Sequence, residues 1–152
     1  MKDTTGMGEL TELEVTMALM RAGKRLLKPI SASCRYDLAI DDDGILTRIQ
    51  CKTGVLRGGR VVFRLYSINA SQPRARTYRG EVDAFGVYCR ATATCYLVPM
   101  SAVAACDTMA ALRVVPSGNG QVRGIRRAAD FVIIPAGDSD RTFGVDTLAN
   151  PR

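Results

Sequence analysis

The sequence contains no histidine. This absence excludes the Ser-His-Asp and Cys-His hydrolases, the hydrolases whose zinc is held by histidine, and the nucleases that use a histidine general base. If the chain is a hydrolase, carboxylates, a lysine and a hard metal ion must therefore carry out its chemistry.

Long apolar runs and export signals are also missing. No run approaches the ~20 apolar residues that span a bilayer, and the first residues lack the apolar segment of a signal peptide. The cysteines are odd in number and none are spaced C-x-x-C, which is typical of neither a disulfide framework nor a zinc site. We expect reduced thiols in a cytoplasmic protein with no membrane partner. The cysteines are Cys34, Cys51, Cys89, Cys95 and Cys106.

The size and composition are those of a single globular domain. The chain has 152 residues, of which 47% are hydrophobic and 24% are charged, and these values are ordinary for one folded unit. We expect one domain over residues 1–152, with a loose C-terminal tail from about residue 138.

The net charge is +6, and most of the basic excess is arginine. A phosphate backbone is the commonest partner of such a surface, and the planar guanidinium suits phosphate oxygens. The alternative is an ordinary solvated surface, and the charge alone does not decide between them. Three groups stand out: Arg57, Arg60 and Arg64; Arg74, Arg76 and Arg79; Arg123, Arg126 and Arg127.

The hydrophobic pattern predicts an α+β fold. Leu13, Met17 and Met20 recur at helical spacing, which predicts a helix from Glu9 that ends at Gly23. Several strands and a second helix follow. The predicted strands are Lys24–Ile30, Tyr36–Ile40, Ile45–Thr53, Val61–Tyr66, Phe85–Cys89 and Tyr96–Pro99; the second helix is Ser101–Ala111, and Ser67–Arg79 is a loop.

The second and third predicted strands form a hairpin. If its turn holds the four residues Asp41–Gly44, Asp37 lies opposite Arg48, and cross-strand partners share a face. A three-residue loop with a bulge would change this parity. The prediction places Asp37, Arg48, Gln50 and Lys52 on one face and Tyr36, Leu38, Ile40, Ile49 and Cys51 on the other.

A carboxylate, an amide oxygen and an ammonium on one face suit phosphodiester hydrolysis. Mg²⁺ prefers oxygen ligands, which Asp37 and the carbonyl oxygen of Gln50 can supply. Lys52 can orient or deprotonate the attacking water and stabilise charge on the phosphorus. The alternative is that these residues are surface charges that pair across a hairpin.

The motif Arg35-Tyr36-Asp37-Leu38, followed by Arg48-Ile49-Gln50-Cys51-Lys52-Thr53, resembles the core of the PD-(D/E)XK nucleases. Tyr36 replaces the proline and Gln50 replaces the second acid. The glutamine variant is similar to the subgroup that contains an intron-encoded homing endonuclease. The similarity extends more weakly to Tyr78-Arg79-Gly80, Asp83 and Phe85-Gly86-Val87-Tyr88, and covers about residues 5–100.

The resemblance implies a restriction-endonuclease-like αβββαβ core, with a mixed central sheet flanked by helices. It also implies that Glu12 is an active-site acid, because a glutamate precedes V-x-x-x-L-x-x-x-G in the family's first helix. The alternative for Glu12 is a charge that complements the helix macrodipole. The implied ligands of Mg²⁺, or of Mn²⁺ as a substitute, are Glu12, Asp37, Gln50 and the backbone carbonyl of Cys51.

We therefore expect a metal-dependent endonuclease that cuts double-stranded DNA and leaves 5′-phosphate and 3′-hydroxyl ends. Cutting both strands requires two sites, so a homodimer or homotetramer is expected. The alternatives are a Holliday-junction resolvase or repair nuclease, a DNA-binding module that Gln50 has made inactive, and a domain with no nucleic-acid role. The candidate DNA-binding residues are Arg35, Arg57, Arg60, Arg74, Arg76, Tyr78 and Arg79.

Overall fold

The computed structural model describes residues 4–69 and 72–137. The predicted tail from about residue 138 lies outside the described residues. No described helix is long and apolar enough to span a membrane. The elements are α1 (Thr4–Arg21), β1 (Leu26–Leu27), β2 (Leu38–Asp42), β3 (Ile45–Arg57), β4 (Arg60–Arg64), β5 (Tyr66–Asn69), β6 (Gln72–Thr77), β7 (Ala84–Cys89), β8 (Thr94–Pro99), a 3₁₀ turn (Met100–Val103), β9 (Met109–Arg113) and a second 3₁₀ turn (Ala128–Phe131).

Helix α1 confirms the predicted first helix and begins five residues earlier. Thr11, Val15 and Leu19 are buried at intervals of four residues and form the stripe that packs on the sheet. Gly23, with φ of +77°, ends the helix. The amide of Lys24 donates to the carbonyl of Leu19, and that of Gly23 to the carbonyl of Met20, which is the Schellman arrangement.

Gly86 in β7 allows α1 to approach the sheet closely. A Cβ at this position would lie 2.6 Å from Cγ1 of Val15 and 3.2 Å from Cγ2 of Ile49. Both of these side chains are fully buried, so neither has space to move away. The helix is therefore held at a distance that glycine alone permits.

We expect Gly86→Ala to lower the free energy of unfolding by roughly 1–3 kcal/mol through overpacking. Gly8→Ala is the matched control, because Gly8 lies within α1 and a Cβ there meets nothing within 4 Å. That control should raise stability by ~0.5–1 kcal/mol, since alanine is the better helix former. Urea denaturation measures both changes, and equal stabilities for the two variants would contradict the close approach.

The β2–β3 hairpin is confirmed, but its turn is tighter than predicted. The turn consists of Asp43 and Gly44, whose φ values are +52° and +90°. Two successive residues with positive φ are typical of the two-residue turns that suit twisted hairpins. The predicted four-residue turn is therefore wrong.

The register of the hairpin shifts with its turn. Arg48 lies opposite Ala39 and Ile49 lies opposite Leu38, so the predicted pairing of Arg48 with Asp37 is wrong. The side chains of Leu38 and Ile49 are buried on the helix side of the sheet. Strand β2 begins at Leu38 rather than at Tyr36, and Asp37 lies just outside the ladder.

Strand β3 organises the sheet. Ile45–Ile49 pairs antiparallel with β2, Ile49–Gly54 pairs parallel with β7, and Val55–Arg57 pairs antiparallel with β4. Strands β8 and β9 extend the sheet beyond β7 and β4, and β1 extends it beyond β2. The predicted mixed sheet is confirmed.

Two apolar clusters cover the two faces of the sheet. One lies under α1 and contains Val15, Leu19, Leu38 and Ile49. Tyr36 packs against the other cluster. The prediction that Tyr36 shares the face of Leu38 is therefore wrong. The chain crosses the sheet edge between these two residues. The second cluster includes Val61, Phe63, Tyr78, Phe85, Val87, Tyr96, Val98 and Leu112.

The structure corrects three further predictions. Ser101–Ala111 is not an α-helix, because it begins in the first 3₁₀ turn and its last three residues belong to β9, which pairs with β4. Ser67–Arg79 is not a loop, because β5 and β6 form a separate two-stranded ribbon. Among the described residues α1 is the one α-helix, so the sheet has a helix on one face rather than helices on both sides.

Candidate active site

The candidate site lies where one edge of β3 is open. Residues 50–54 pair only with β7, which leaves backbone groups on the other edge without a strand partner. Asp37 bonds to this edge: its amide donates to the carbonyl of Ile49 at 2.9 Å, and its Oδ2 accepts from the amide of Cys51 at 2.8 Å. Asp37 thus satisfies backbone groups of β3 that a neighbouring strand would otherwise pair with.

The surroundings of Asp37 favour a nearby cation. Burial raises the pKa of its carboxyl, the amide of Cys51 opposes this change, and the negative charge of Glu12 adds to it. Lys52 and Lys28 lower the pKa, but less strongly. A half-buried carboxylate beside a second acid is short of positive charge, and a bound metal ion would supply that charge.

Glu12 reaches this region from α1. Its carboxylate accepts a hydrogen bond from Nζ of Lys28, and this pairing raises the pKa of Lys28. Lys28 follows β1 and belongs to no motif, so the motifs around Asp37 and Lys52 did not identify it. Only the fold brings it beside Glu12 and close enough to act on Asp37, and no local pattern in the sequence indicates its position.

Lys52 is positioned from the opposite face of the sheet. Its Nζ donates to the backbone carbonyl of Tyr66 at 3.0 Å and to the hydroxyl of Tyr78 at 3.1 Å. The same nitrogen lies 4.6 Å from the centre of the Tyr78 ring. The ring of Tyr78 is itself buried. The ammonium is therefore held by fixed groups, as a residue that acts on one defined atom requires.

The oxygen donors present fit a magnesium ion. No three His, Cys, Asp or Glu residues cluster in the described part of the chain. The predicted donor set therefore has only two acids, Glu12 and Asp37, together with the neutral amide of Gln50. The half-buried side chain of Gln50 makes no hydrogen bond with another described residue, which leaves its carbonyl oxygen free. Hard oxygen donors of this kind are what Mg²⁺ prefers.

A model of the PD-(D/E)XK endonucleases matches residues 2–134 of the chain. The chain belongs to the PD-(D/E)XK endonuclease family. This confirms the family that the motifs around Asp37 and Lys52 indicated. A comparison with curated protein sequences finds no significant match.

Among solved structures, this PD-(D/E)XK domain is similar to the bacterial homing endonuclease I-Ssp6803I. The two chains share 22% identity, the TM-score is 0.66, and the match covers 86% of this chain and 88% of the other. This likeness shows that the two proteins share a fold, which is restriction-endonuclease-like.

The side chain of Cys51 points into the core of the PD-(D/E)XK domain, as predicted. It packs against the cluster under α1, and burial raises its pKa well above the usual value. The thiol therefore stays protonated, while the backbone amide of Cys51 holds Asp37. Its backbone carbonyl as a metal ligand remains a prediction.

Two predicted DNA-binding arginines are engaged within the domain. Arg35 donates to Ser67 at 2.8 Å, pairs with Glu81 and lies 4.1 Å from the centre of the Tyr78 ring. Arg79 donates to the carbonyls of Ala104 and Cys106, both at 3.0 Å. Arg35 thus supports the tyrosine that holds Lys52, and Arg79 fixes the segment after the first 3₁₀ turn.

The other predicted arginines of the PD-(D/E)XK domain lie on exposed hairpins. Arg57 and Arg60 flank the Gly58–Gly59 turn of β3 and β4, and Arg74 and Arg76 lie on β6. Arg76 pairs with Glu81, whereas the other three form no ion pair within residues 4–69 and 72–137. These three guanidinium groups are available to a phosphate backbone.

Proposed function

We propose that this chain is a metal-dependent DNA endonuclease whose active site is built from Asp37, Glu12, Gln50 and Lys52. The position of Asp37 is the observation that carries the proposal. It lies at an open strand edge, with the charges of Glu12 and Lys52 acting on it. The family supports phosphodiester cleavage, and the fixed ammonium of Lys52 supports catalysis rather than binding alone.

Asp37, Glu12 and Gln50 would hold Mg²⁺, with the backbone carbonyl of Cys51 as a further ligand and Mn²⁺ as a substitute. When bound, the ion would polarise the scissile phosphate and lower the pKa of the attacking water. Lys52 would orient that water, whose proton passes to the solvent, and its ammonium would stabilise the negative charge that develops on the phosphate. In-line attack on phosphorus then leaves a 5′-phosphate and a 3′-hydroxyl end.

Arg57, Arg60 and Arg74 are the proposed backbone contacts in double-stranded DNA, because they are exposed and form no described ion pair. Arg76, Arg79, Arg35 and Tyr78 are proposed to support these contacts near the scissile phosphate. A site-specific, homing-type activity is the finer form of the proposal. It requires two active sites to cut both strands, and hence a homodimer or homotetramer.

The test is cleavage of labelled linear duplexes, supercoiled plasmid and four-way junctions, with Mg²⁺, with Mn²⁺ and with a chelator. The proposal expects metal-dependent cutting of duplex DNA that ends in 5′-phosphate. Cutting confined to junctions would favour a resolvase. Salt-dependent DNA binding without cutting of any substrate by either metal would favour an inactive binding module and contradict the proposed catalysis.

The exposed arginines lead to a separate prediction about how DNA affinity depends on salt concentration. Each lost phosphate contact should reduce the slope of log K against log salt by about 0.9, so Arg57→Gln with Arg60→Gln should flatten the slope by roughly twice that amount. Arg127→Gln is the control, because Arg127 pairs with Asp130 at 3.0 Å. Fluorescence anisotropy at several salt concentrations measures both, and equal slopes for the two variants would remove Arg57 and Arg60 from the interface.

A further inference from the structure

Helix α1 carries a second apolar stripe on its outer face. A surface helix normally places polar residues opposite the face that it buries. Here Leu10, Leu13, Met17 and Met20 are 36%, 62%, 41% and 63% exposed. Their spacing of three, four and three residues is that of a coiled-coil seam. The described residues leave this seam without a partner.

The seam is symmetric about Val15. Leu13 and Met17 are equally distant from Val15 along the helix, and so are Leu10 and Met20. When two copies of α1 pack antiparallel about a two-fold axis at Val15, Leu13 faces Met17 of the second copy and Leu10 faces Met20. A self-complementary patch of this kind is what an isologous interface requires.

The charges at the two ends of α1 also favour a second, antiparallel copy of α1 as the partner. Glu9 is near the beginning of the exposed seam and Arg21 is at its end, at equal distances from Val15. Neither side chain forms an ion pair within the described part of the chain. Antiparallel packing brings the acidic end of each helix to the basic end of the other, and it also aligns the two macrodipoles favourably.

We propose that a second copy of this chain covers the outer face of α1, and that the two helices pack antiparallel about Val15. The groove beside the stripe adds to the surface. Its volume is about 490 Å³, and its apolar lining includes Leu13, Met20, Leu26 and Leu27. A large apolar side chain from the partner helix fits there as a knob in a hole.

This arrangement has a consequence for the proposed nuclease. Glu12 lies on the flank of α1 that faces the groove. A two-fold axis that runs between antiparallel helices keeps matching flanks on the same side of the pair. Both copies of Glu12 therefore face the same side of the dimer, where one duplex can meet both sites. The interface itself is inferred from α1 and does not depend on catalysis.

Sedimentation velocity of the full chain across a dilution series tests the proposal without DNA. We expect a dimer for the wild type and half that mass for the double variant Leu13→Lys, Met17→Lys, with an unchanged circular dichroism spectrum. Ile45→Lys is the matched control, since Ile45 is 75% exposed at the hairpin turn, and it should remain dimeric. A monomeric wild type would overturn the proposal, and the exposed seam of α1 would then be left for residues 138–152 or another protein to cover. A double Lys variant that remains dimeric would also overturn it.

The register is tested by cross-linking in a Cys34→Ser background. Leu13→Cys chains mixed with Met17→Cys chains should form a disulfide between the two different chains under mild oxidation, at least ten-fold faster than either variant alone. Equal rates in the mixture and in the separate variants would overturn the antiparallel pairing about Val15. Because neither measurement uses DNA, a failed dimer and a failed nuclease give distinguishable results.

Discussion

Lys52→Ala should reduce the rate of DNA cleavage by roughly 10²–10³-fold, the usual effect of removing a preorganised group that stabilises charge in the transition state. Alanine removes the ammonium that Tyr66 and Tyr78 hold in place. DNA affinity should change little, because one cation among many phosphate contacts contributes modestly to binding. Single-turnover cleavage at saturating protein, with affinity measured in parallel, separates the two effects.

Lys24→Ala is the matched control for this experiment. Lys24 is an exposed lysine whose ion pair with Asp42 spans 3.6 Å, and an exposed pair of this kind contributes little. We expect its cleavage rate to stay close to that of the wild type. If Lys52→Ala cleaves at the rate of Lys24→Ala, the assignment of Lys52 is wrong.

Asp37→Asn should abolish cleavage and yet raise the melting temperature in metal-free buffer. Burial raises the pKa of Asp37 in the folded protein, so the unfolded chain ionises this group more readily. Ionised Asp37 therefore lowers stability, and this loss appears as the pH rises through the folded pKa and persists at neutral pH. The neutral amide removes the loss, and its oxygen can still accept from the amide of Cys51.

Adding Mg²⁺ should reverse the order of the melting temperatures of the wild type and Asp37→Asn. A ligand at about 100 times its Kd stabilises the folded state by about 2.7 kcal/mol, so Mg²⁺ should raise the melting temperature of the wild type but not that of Asp37→Asn. Asp43→Asn is the control, because Asp43 is an exposed turn residue with φ of +52°, which asparagine tolerates. Equal metal-induced shifts in all three proteins would place the ion elsewhere.

The sequence predicted the hairpin and the family well because both depend on local patterns. Asp37, Gln50 and Lys52 fall within sixteen residues, and alternation along a strand constrains their directions. The register was wrong by two residues, since the Asp43–Gly44 turn was taken as four residues long. Gln50 and Lys52 lie two residues apart on β3, so they share a face whatever the register of the hairpin.

Other errors came from contacts between distant segments. Met109–Arg113 contains good helix formers, yet it pairs with β4, because tertiary pairing overrides weak local propensity. The β5–β6 ribbon is polar and carries Pro73, so it lacks the apolar alternation that identifies a strand. Both elements are defined by their partners rather than by their own composition.

Contacts between distant segments were also missed within the candidate site. Lys28 meets Glu12, and Arg35 meets Glu81 across 46 positions of sequence. Neither pair has a spacing that a helix or hairpin would explain. The crossing of the sheet edge between Tyr36 and Leu38 was also missed, although this crossing is what brings Asp37 between the charge of Glu12 and that of Lys52.

The most direct test of the proposed active site is a crystal structure of the protein soaked with Mn²⁺, with the ion located by its anomalous signal. The proposal predicts one peak that is coordinated by oxygens of Asp37, Glu12 and Gln50, with Lys28 displaced from Glu12. A peak at other residues, or an ordered site with no peak at saturating Mn²⁺, would contradict it.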